Sequence, residues 1–186
     1  MGSLTVERLL TNHLKNPLGH ALGERPRFSW VVEGDGDAQG LTTRVVVALD
    51  EDFSRVVHDS GLKSGLDGVC YPVDIALWPR TRYFWRVEAR RGGDRAEGAA
   101  WFETGKLDEP WDAGWIAPEF PEDWHPVLSR AFRVDKPVRS ARVYASGLGL
   151  YELTLNGGKV EDEYLTPGLC AYDKWLPYQT YDVTDA

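Results

Sequence analysis

Three consecutive acids, Glu161, Asp162 and Glu163, followed by the aromatics Tyr164, Tyr172, Trp175 and Tyr178, are the residues of this chain with the most chemistry to offer. Asp162 and Glu163 can supply the hard oxygen ligands that calcium takes. Tyr172, Trp175 and Tyr178 can stack on the apolar face of a sugar, because each ring joins a large apolar area to a polar tip. The same residues have a plain structural reading, in which acids on a strand face water and aromatics fill a β core. Other constellations are thin. His13, His20, His58 and His125 are scattered, and neither Cys70 nor Cys170 belongs to a paired-ligand pattern, so no zinc site is expected. Ser146-Gly147-Leu148-Gly149 has the glycines of a phosphate loop or nucleophile elbow, yet it leads into a strand pattern instead of a helix. Its glycines are better suited to a bulge or a close approach. Glu119, Glu122 and Asp123 stand beside prolines, as in a solvated loop. No catalytic residue and no organic cofactor is assigned.

The elements that would position these residues are strands. Tyr151, Leu153 and Leu155 alternate with Glu152 and Thr154, the period of a half-buried strand, and Asn156-Gly157 is a tight-turn signal. Val160 resumes the apolar side, giving strand, hairpin, strand. Further strands are expected over residues 128–134, 140–146 and 179–183. In the first half, residues 4–10, 27–32, 43–49, 56–59, 83–89 and 99–104 read as strands, with turns at Asn16-Pro17-Leu18-Gly19, Gly34-Asp35-Gly36-Asp37 and Gly92-Gly93-Asp94. Pro26 suits the entry to a strand because its missing N–H costs nothing there. Residues 83–88 put Tyr83, Trp85 and Val87 on one face and Phe84, Arg86 and Glu88 on the other. Lys106 to Pro126 lacks periodicity and carries Trp111, Trp115 and Trp124, too many apolar rings for a free tether; a linker whose tryptophans bolt two domains together is expected. No helix longer than a turn or two is predicted. The chain reads as all-β: a sandwich over residues 1–106, a linker over 107–126, and a partial second β-sandwich over 127–186.

Composition narrows the class. A chain of 186 residues with 42% hydrophobic residues can supply two modest cores. Its formal charge of −8 disfavours nucleic acid, whose binding needs a basic surface. No window approaches the roughly 20 apolar residues of a membrane-spanning helix. Two cysteines in different domains are too few for a disulfide framework, so a reducing cytoplasm is expected unless a secretion signal has been removed.

Taken in order, the Gly149-Leu150-Tyr151-Glu152-Leu153 strand, the Asn156-Gly157 turn, the Leu165-Thr166-Pro167-Gly168 corner, Tyr172 and the Tyr181-Asp182-Val183-Thr184 strand resemble the amino-terminal region of bacterial α-L-rhamnosidases. The resemblance extends to Asn16-Pro17-Leu18-Gly19, Arg25-Pro26-Arg27-Phe28-Ser29-Trp30 and Tyr83-Phe84-Trp85-Arg86-Val87. It implies an immunoglobulin/fibronectin type III-like sandwich, with Tyr83 anchoring its corner, followed by the first strands of a rhamnosidase-type sandwich. It also implies a parent enzyme that hydrolyses terminal α-L-rhamnosyl groups with an inverting mechanism, on a helical barrel lying downstream. The chain itself is then scaffold, with a rhamnose-containing glycan as partner through the parent. Asp162 and Glu163 fall where the resemblance places acidic calcium ligands of a rhamnose-binding module. The alternative is a stand-alone carbohydrate-binding or adhesion module, since a fold does not fix a function. A strand at 179–183 would seek later partners, so an open edge is expected to make residues 127–186 dimerise or swap strands, or to leave this half less ordered than the first.

Overall fold

A computed structural model describes residues 4–20, 23, 25–35, 39–120 and 125–186. The chain divides into two compact units, Met1–Asp108 and Glu109–Ala186. All regular elements among the described residues are strands, and none of them is a helix long and apolar enough to cross a membrane.

The first unit holds β1 (Thr5–Thr11), β2 (Leu18–His20), β3 (Arg27–Glu33), β4 (Thr42–Ala48), β5 (Val56–Asp59), β6 (Lys63–Ser64), β7 (Tyr71–Pro72), β8 (Arg82–Arg91) and β9 (Asp94–Thr104). One sheet has the order β1-β3-β7; the other runs β2-β9-β8-β4-β5, with β6 also on β4. Strand alternation decides what each face meets. Phe28 and Trp30 come from the first sheet, and Val45, Val47, Tyr83, Trp85, Val87 and Phe102 from the second; all are buried in one core. Phe28 stacks on Trp85 with centroids 4.1 Å apart and planes 6° from parallel. Tyr83 stacks on Phe102 at 4.9 Å, and Phe102 meets Phe28 at 5.9 Å. Gly98 of β9 is required by its neighbours, because a Cβ there would lie 2.8 Å from Leu9 and 2.9 Å from the Val6 carbonyl.

Tyr83 also ties down the chain before its own strand. Its hydroxyl donates to the Ala76 carbonyl (3.1 Å) and accepts the Trp78 N–H (2.9 Å), the tyrosine corner of immunoglobulin-like sandwiches. Below it, the Thr104 hydroxyl donates to the Trp78 carbonyl at 2.6 Å and accepts the Thr81 N–H at 2.9 Å.

The strands expected over 4–10, 27–32, 43–49, 56–59 and 83–89 all form. Three details differ. Asn16-Pro17-Leu18-Gly19 is less a turn than the entry to β2, which runs parallel to β9 with Leu18 beside Glu103. The turn between β8 and β9 is only Gly92-Gly93, since Asp94 already pairs with Arg91. β9 therefore starts five residues before the expected strand; its first residues alternate exposed and half-buried, a weaker apolar signal than 99–104. Gly36 and Asp37 of the expected polar loop lie outside the described residues.

The second unit holds β10 (Arg142–Ala145), β11 (Thr154–Leu155), β12 (Gly158–Lys159) and β13 (Gln179–Asp182). β10 pairs antiparallel with β13, and β11 with β12. The partner of residues 179–182 is therefore β10, earlier in the chain, and each strand of this two-stranded ladder keeps one unladdered edge. The strand expected over 128–134 does not form: Val127, Leu128, Phe132 and Val134 are exposed and no ladder reaches them. Local alternation is not enough where no neighbouring strand takes up the backbone groups. Of the linker tryptophans, Trp111 meets Tyr178 edge-on within this unit (5.5 Å), Trp115 is exposed, and Trp124 is outside the described residues.

Replacing Tyr83 by Phe leaves the Ala76 carbonyl and the Trp78 N–H without their partner. A loss of about 1–3 kcal/mol is expected, lowering the thermal midpoint of the first unit by about 5 °C or more. Calorimetry of the variant checks it, and an unchanged midpoint would show the corner to be energetically neutral.

Candidate functional site

The recess of the second unit is built on its hairpin. Asn156 and Gly157 both have positive φ (51° and 83°), the backbone that a two-residue β turn of matching twist demands. The turn brings β12 back beside β11, and the burial of the preceding residues alternates as the sequence implies: Tyr151, Leu153 and Leu155 turn inward, Glu152 and Thr154 outward. Tyr151 is fixed to the Leu165-Thr166-Pro167-Gly168 corner, its N–H donating to the Thr166 carbonyl (2.8 Å) and its carbonyl accepting the Thr166 hydroxyl (3.0 Å). The Thr166-Pro167 bond is cis.

Between hairpin and corner lies a shallow recess open to solvent, with about 10 Å³ of room, enough for a single water. Glu152, Lys159, Glu161, Glu163, Thr166 and Tyr181 supply its polar groups, and Leu153 and Val160 its apolar floor. A chain of hydroxyls runs beneath it. The Tyr151 hydroxyl donates to Gln179 Oε1 (3.0 Å) and lies 3.2 Å from the Tyr181 hydroxyl, which reaches Glu163 Oε2 at 3.4 Å. At its rim, Lys159 pairs with Glu152 (3.4 Å) and sits over the ring of exposed Tyr164 at 4.1 Å. Hydrogen-bond donors and acceptors are thus gathered beside the exposed Tyr164 ring.

The residues singled out in the sequence are distributed unevenly around it. Glu163 lines the recess and Asp162 does not. Both are exposed, and among the described residues no group of three or more His, Cys, Asp and Glu gathers as a metal site would require. Tyr172 and Trp175 are exposed. The Tyr172 hydroxyl accepts the Gly149 N–H (2.9 Å), while Tyr178 turns half-buried to Trp111 and, at 6.2 Å, to Tyr144. Tyr172 and Tyr178 thus have different neighbours. Gly149 is needed for its φ of 110°, with open space where a Cβ would stand, whereas Gly147 serves close approach, since a Cβ there would come within 3.2 Å of the Tyr151 ring. Lys159, Thr166 and Tyr181 were missed; the only signal for them was that the hairpin and the Pro167 corner must fold onto the last strand.

Burial, the hydrogen bond shared with Tyr181 and the charges of Tyr181 and Glu163 push the Tyr151 pKa far above its usual 10. In the unfolded chain Tyr151 ionises near 10, so the folded unit holds the extra proton above that pH, and stability present below about pH 10 falls as pH rises beyond it. The expected outcome is one tyrosine whose absorbance change at alkaline pH coincides with loss of the β signal. In Tyr151→Phe that coincident step disappears; a wild-type chain in which every tyrosine ionises while the β signal stays intact would contradict this.

The comparisons with known proteins follow the same division. Residues 6–108 match the family model of the Rha78A-like N-terminal immunoglobulin domain, and residues 136–186 that of the alpha-L-rhamnosidase N-terminal domain. An alpha-L-rhamnosidase of Formosa agariphila is 29% identical over 217 aligned residues, covering 98% of this chain and 23% of that protein. The solved alpha-L-rhamnosidase of Dictyoglumus thermophilum superposes with a TM-score of 0.80 at 29% identity, over 96% of this chain and 23% of that one. That of Aspergillus terreus gives 0.69 at 26% identity, over 98% and 22%. The chain thus spans less than a quarter of the length of these relatives. With an immunoglobulin-like sandwich first and residues of the rhamnosidase N-terminal domain after it, the chain belongs to the α-L-rhamnosidase family, as its amino-terminal region.

Proposed function

We propose that this chain is a non-catalytic scaffold of an α-L-rhamnosidase, and that the parent protein releases terminal α-L-rhamnosyl groups from glycosides using carboxyl groups outside residues 1–186. The observation that carries this reading is the state of the chain's own acids. Glycoside hydrolysis needs a pair of carboxyl groups with different tasks, one of them an acid whose pKa is raised. Here the perturbed carboxyl groups among the described residues, Asp50, Asp59 and Glu88, are all shifted down. Asp59 is clamped by Arg44 through two hydrogen bonds of 2.8 and 2.5 Å, which hold it at about 2. Burial works to raise Glu88, but Arg90 and Arg95 beside it outweigh burial. Buried Glu103 is paired with Arg82 at 2.9 Å, and that guanidinium stacks on Trp101 at 4.0 Å. Asp50, Asp59 and Glu88 are held charged and cannot deliver a proton to a leaving group. Incubating the pure chain with an aryl α-L-rhamnoside is expected to release no phenol; turnover would overturn the reading.

The finer proposal is that the second unit also binds sugar. The polar recess at Lys159, Glu163, Thr166 and Tyr181 and the exposed rings of Tyr164, Tyr172 and Trp175 favour a deoxy sugar, which offers hydroxyls on one side and an apolar face on the other. Asp162 and Glu163 would add calcium only if further oxygen ligands moved toward them. Calorimetry with L-rhamnose, with and without Ca²⁺, is expected to give saturable heat with a dissociation constant of about 1 mM or weaker, and Trp175→Ala to weaken it by about fivefold. Absence of any saturable signal up to tens of millimolar sugar ends this proposal without touching the scaffold assignment.

A further inference from the structure

The sandwich of the first unit closes differently along its two sides. On one side β1 packs on β9, and β2 adds to β9 as a further strand. On the other, β5 and β7 are the terminal strands of their sheets, and a side-chain pair joins them. His58 of β5 has Nε2 3.1 Å from the Tyr71 hydroxyl of β7, with the rings edge-on at 6.0 Å. Tyr71 in turn stands edge-on to Trp30 of the core at 5.9 Å. The backbone support here is slight: β7 pairs with β3 at two residues, β6 with β4 at two, and β5 with β4 across a bulge. His13, His20 and His125 are exposed, whereas His58 is half-buried.

We propose that the His58–Tyr71 pair is a pH-sensitive latch, which holds the β5–β7 edge of the sandwich closed while the imidazole is neutral and loosens it when the ring takes up a proton. The groups around the ring support this. Asp59, the adjacent anion, favours an imidazolium, though Arg44 takes its carboxylate in two hydrogen bonds. Lys63 of β6 repels one. Tyr71 and the Ser60 hydroxyl that touches it are neutral and offer the ring no counter-charge; Ser60 also serves the Val45 N–H and the Gly61 carbonyl. Burial, opposed by Asp59 and aided by Lys63, lowers the His58 pKa below its usual 6.5. The open edge protonates first as pH falls, so the closed state is fully favoured above about pH 6.5 and loses ground as pH drops through that value toward the ring's lower, closed-state pKa. Asp59, held at about 2, titrates far from this window. Because Phe28 pairs with Tyr71 across β3 and β7, loosening reaches the strand that carries the central ring stack.

Amide hydrogen exchange of the 186-residue chain between about pH 7.5 and about pH 5.5, corrected for intrinsic rates, tests the latch. Opening of amides in residues 56–73 is expected to rise below about pH 6.5, by no more than the tenfold per pH unit that one proton allows, while β8 and β9 stay unchanged. His58→Gln should flatten that slope, and Tyr71→Phe should raise opening at every pH. The NMR titration of the wild-type His58 ring needs no variant: protonation below about 6.5 supports the latch. Protonation at or above that value, or an equal slope in His58→Gln, overturns it.

Discussion

The stack of Phe28 on Trp85 is the contact on which the first unit depends. Phe28 belongs to one sheet and Trp85 to the other, so this one pair sets the spacing and relative rotation of the two layers. The remaining core takes its place around it: Phe102 meets Phe28 from the next strand and Tyr83 stacks on Phe102, giving a row of four rings across the sandwich. Aromatic pairs of this kind add about 0.5–1.5 kcal/mol beyond the area they bury. The row also fixes the polar framework, because holding the Tyr83 ring against Phe102 aims its hydroxyl at the Ala76–Trp78 corner. Packing and the corner hydrogen bonds are therefore one device, and the ends of the sheet are set by what happens in its middle.

The second unit is organised differently. Its buried apolar side chains at the lowest exposure are Tyr181 and Val183, while Phe132, Leu148, Leu150, Tyr164, Leu165 and Leu169 are exposed. What orders it is a set of local hydrogen-bonded joints: the Asn156-Gly157 turn, the Tyr151–Thr166 bridge, and the hydroxyl chain from Gln179 through Tyr151 and Tyr181 to Glu163. Arg142, paired with Asp182 at 2.6 Å, adds an ion pair across the β10–β13 ladder. The recess exists because these joints bring the hairpin, the Pro167 corner and the last strand to one place.

Legibility in the sequence followed the same contrast. Trp85, Val87 and Ala89 alternate with Arg86, Glu88 and Arg90 on a long strand, and such alternation has one physical solution, a two-faced sheet. The hairpin was legible because Asn-Gly is a backbone signal that does not depend on distant partners. The strand pattern at 128–134 misled for the opposite reason, since a strand is completed only by a neighbour that sequence spacing does not name. The early start of β9 was hidden because Asp94, Arg95 and Glu97 are charged and Gly98 packs by closeness of backbone instead of by apolar area. Of the candidate site, Glu163 was found as an acid but not as the end of a hydroxyl chain. Its partner Tyr181 lies 18 residues away, and only the fold supplies that contact.

The distribution of charge shows what the buried acids of the first unit do. An acid becomes a proton donor at neutral pH when its surroundings penalise the charged form, through burial without a cation or through another acid close by. The first unit does the reverse wherever it buries a carboxylate. Glu88 sits among Arg90, Arg95 and Arg44, and Glu103 is paired with Arg82 on the strand directly opposite. Cross-strand pairs of this sort set register, because a slip by one residue would carry the acid to the other face and strand it in the aromatic core. The charges thereby make one strand alignment much better than its neighbours. In the second unit Glu161, Asp162 and Glu163 are exposed instead, with no register to hold.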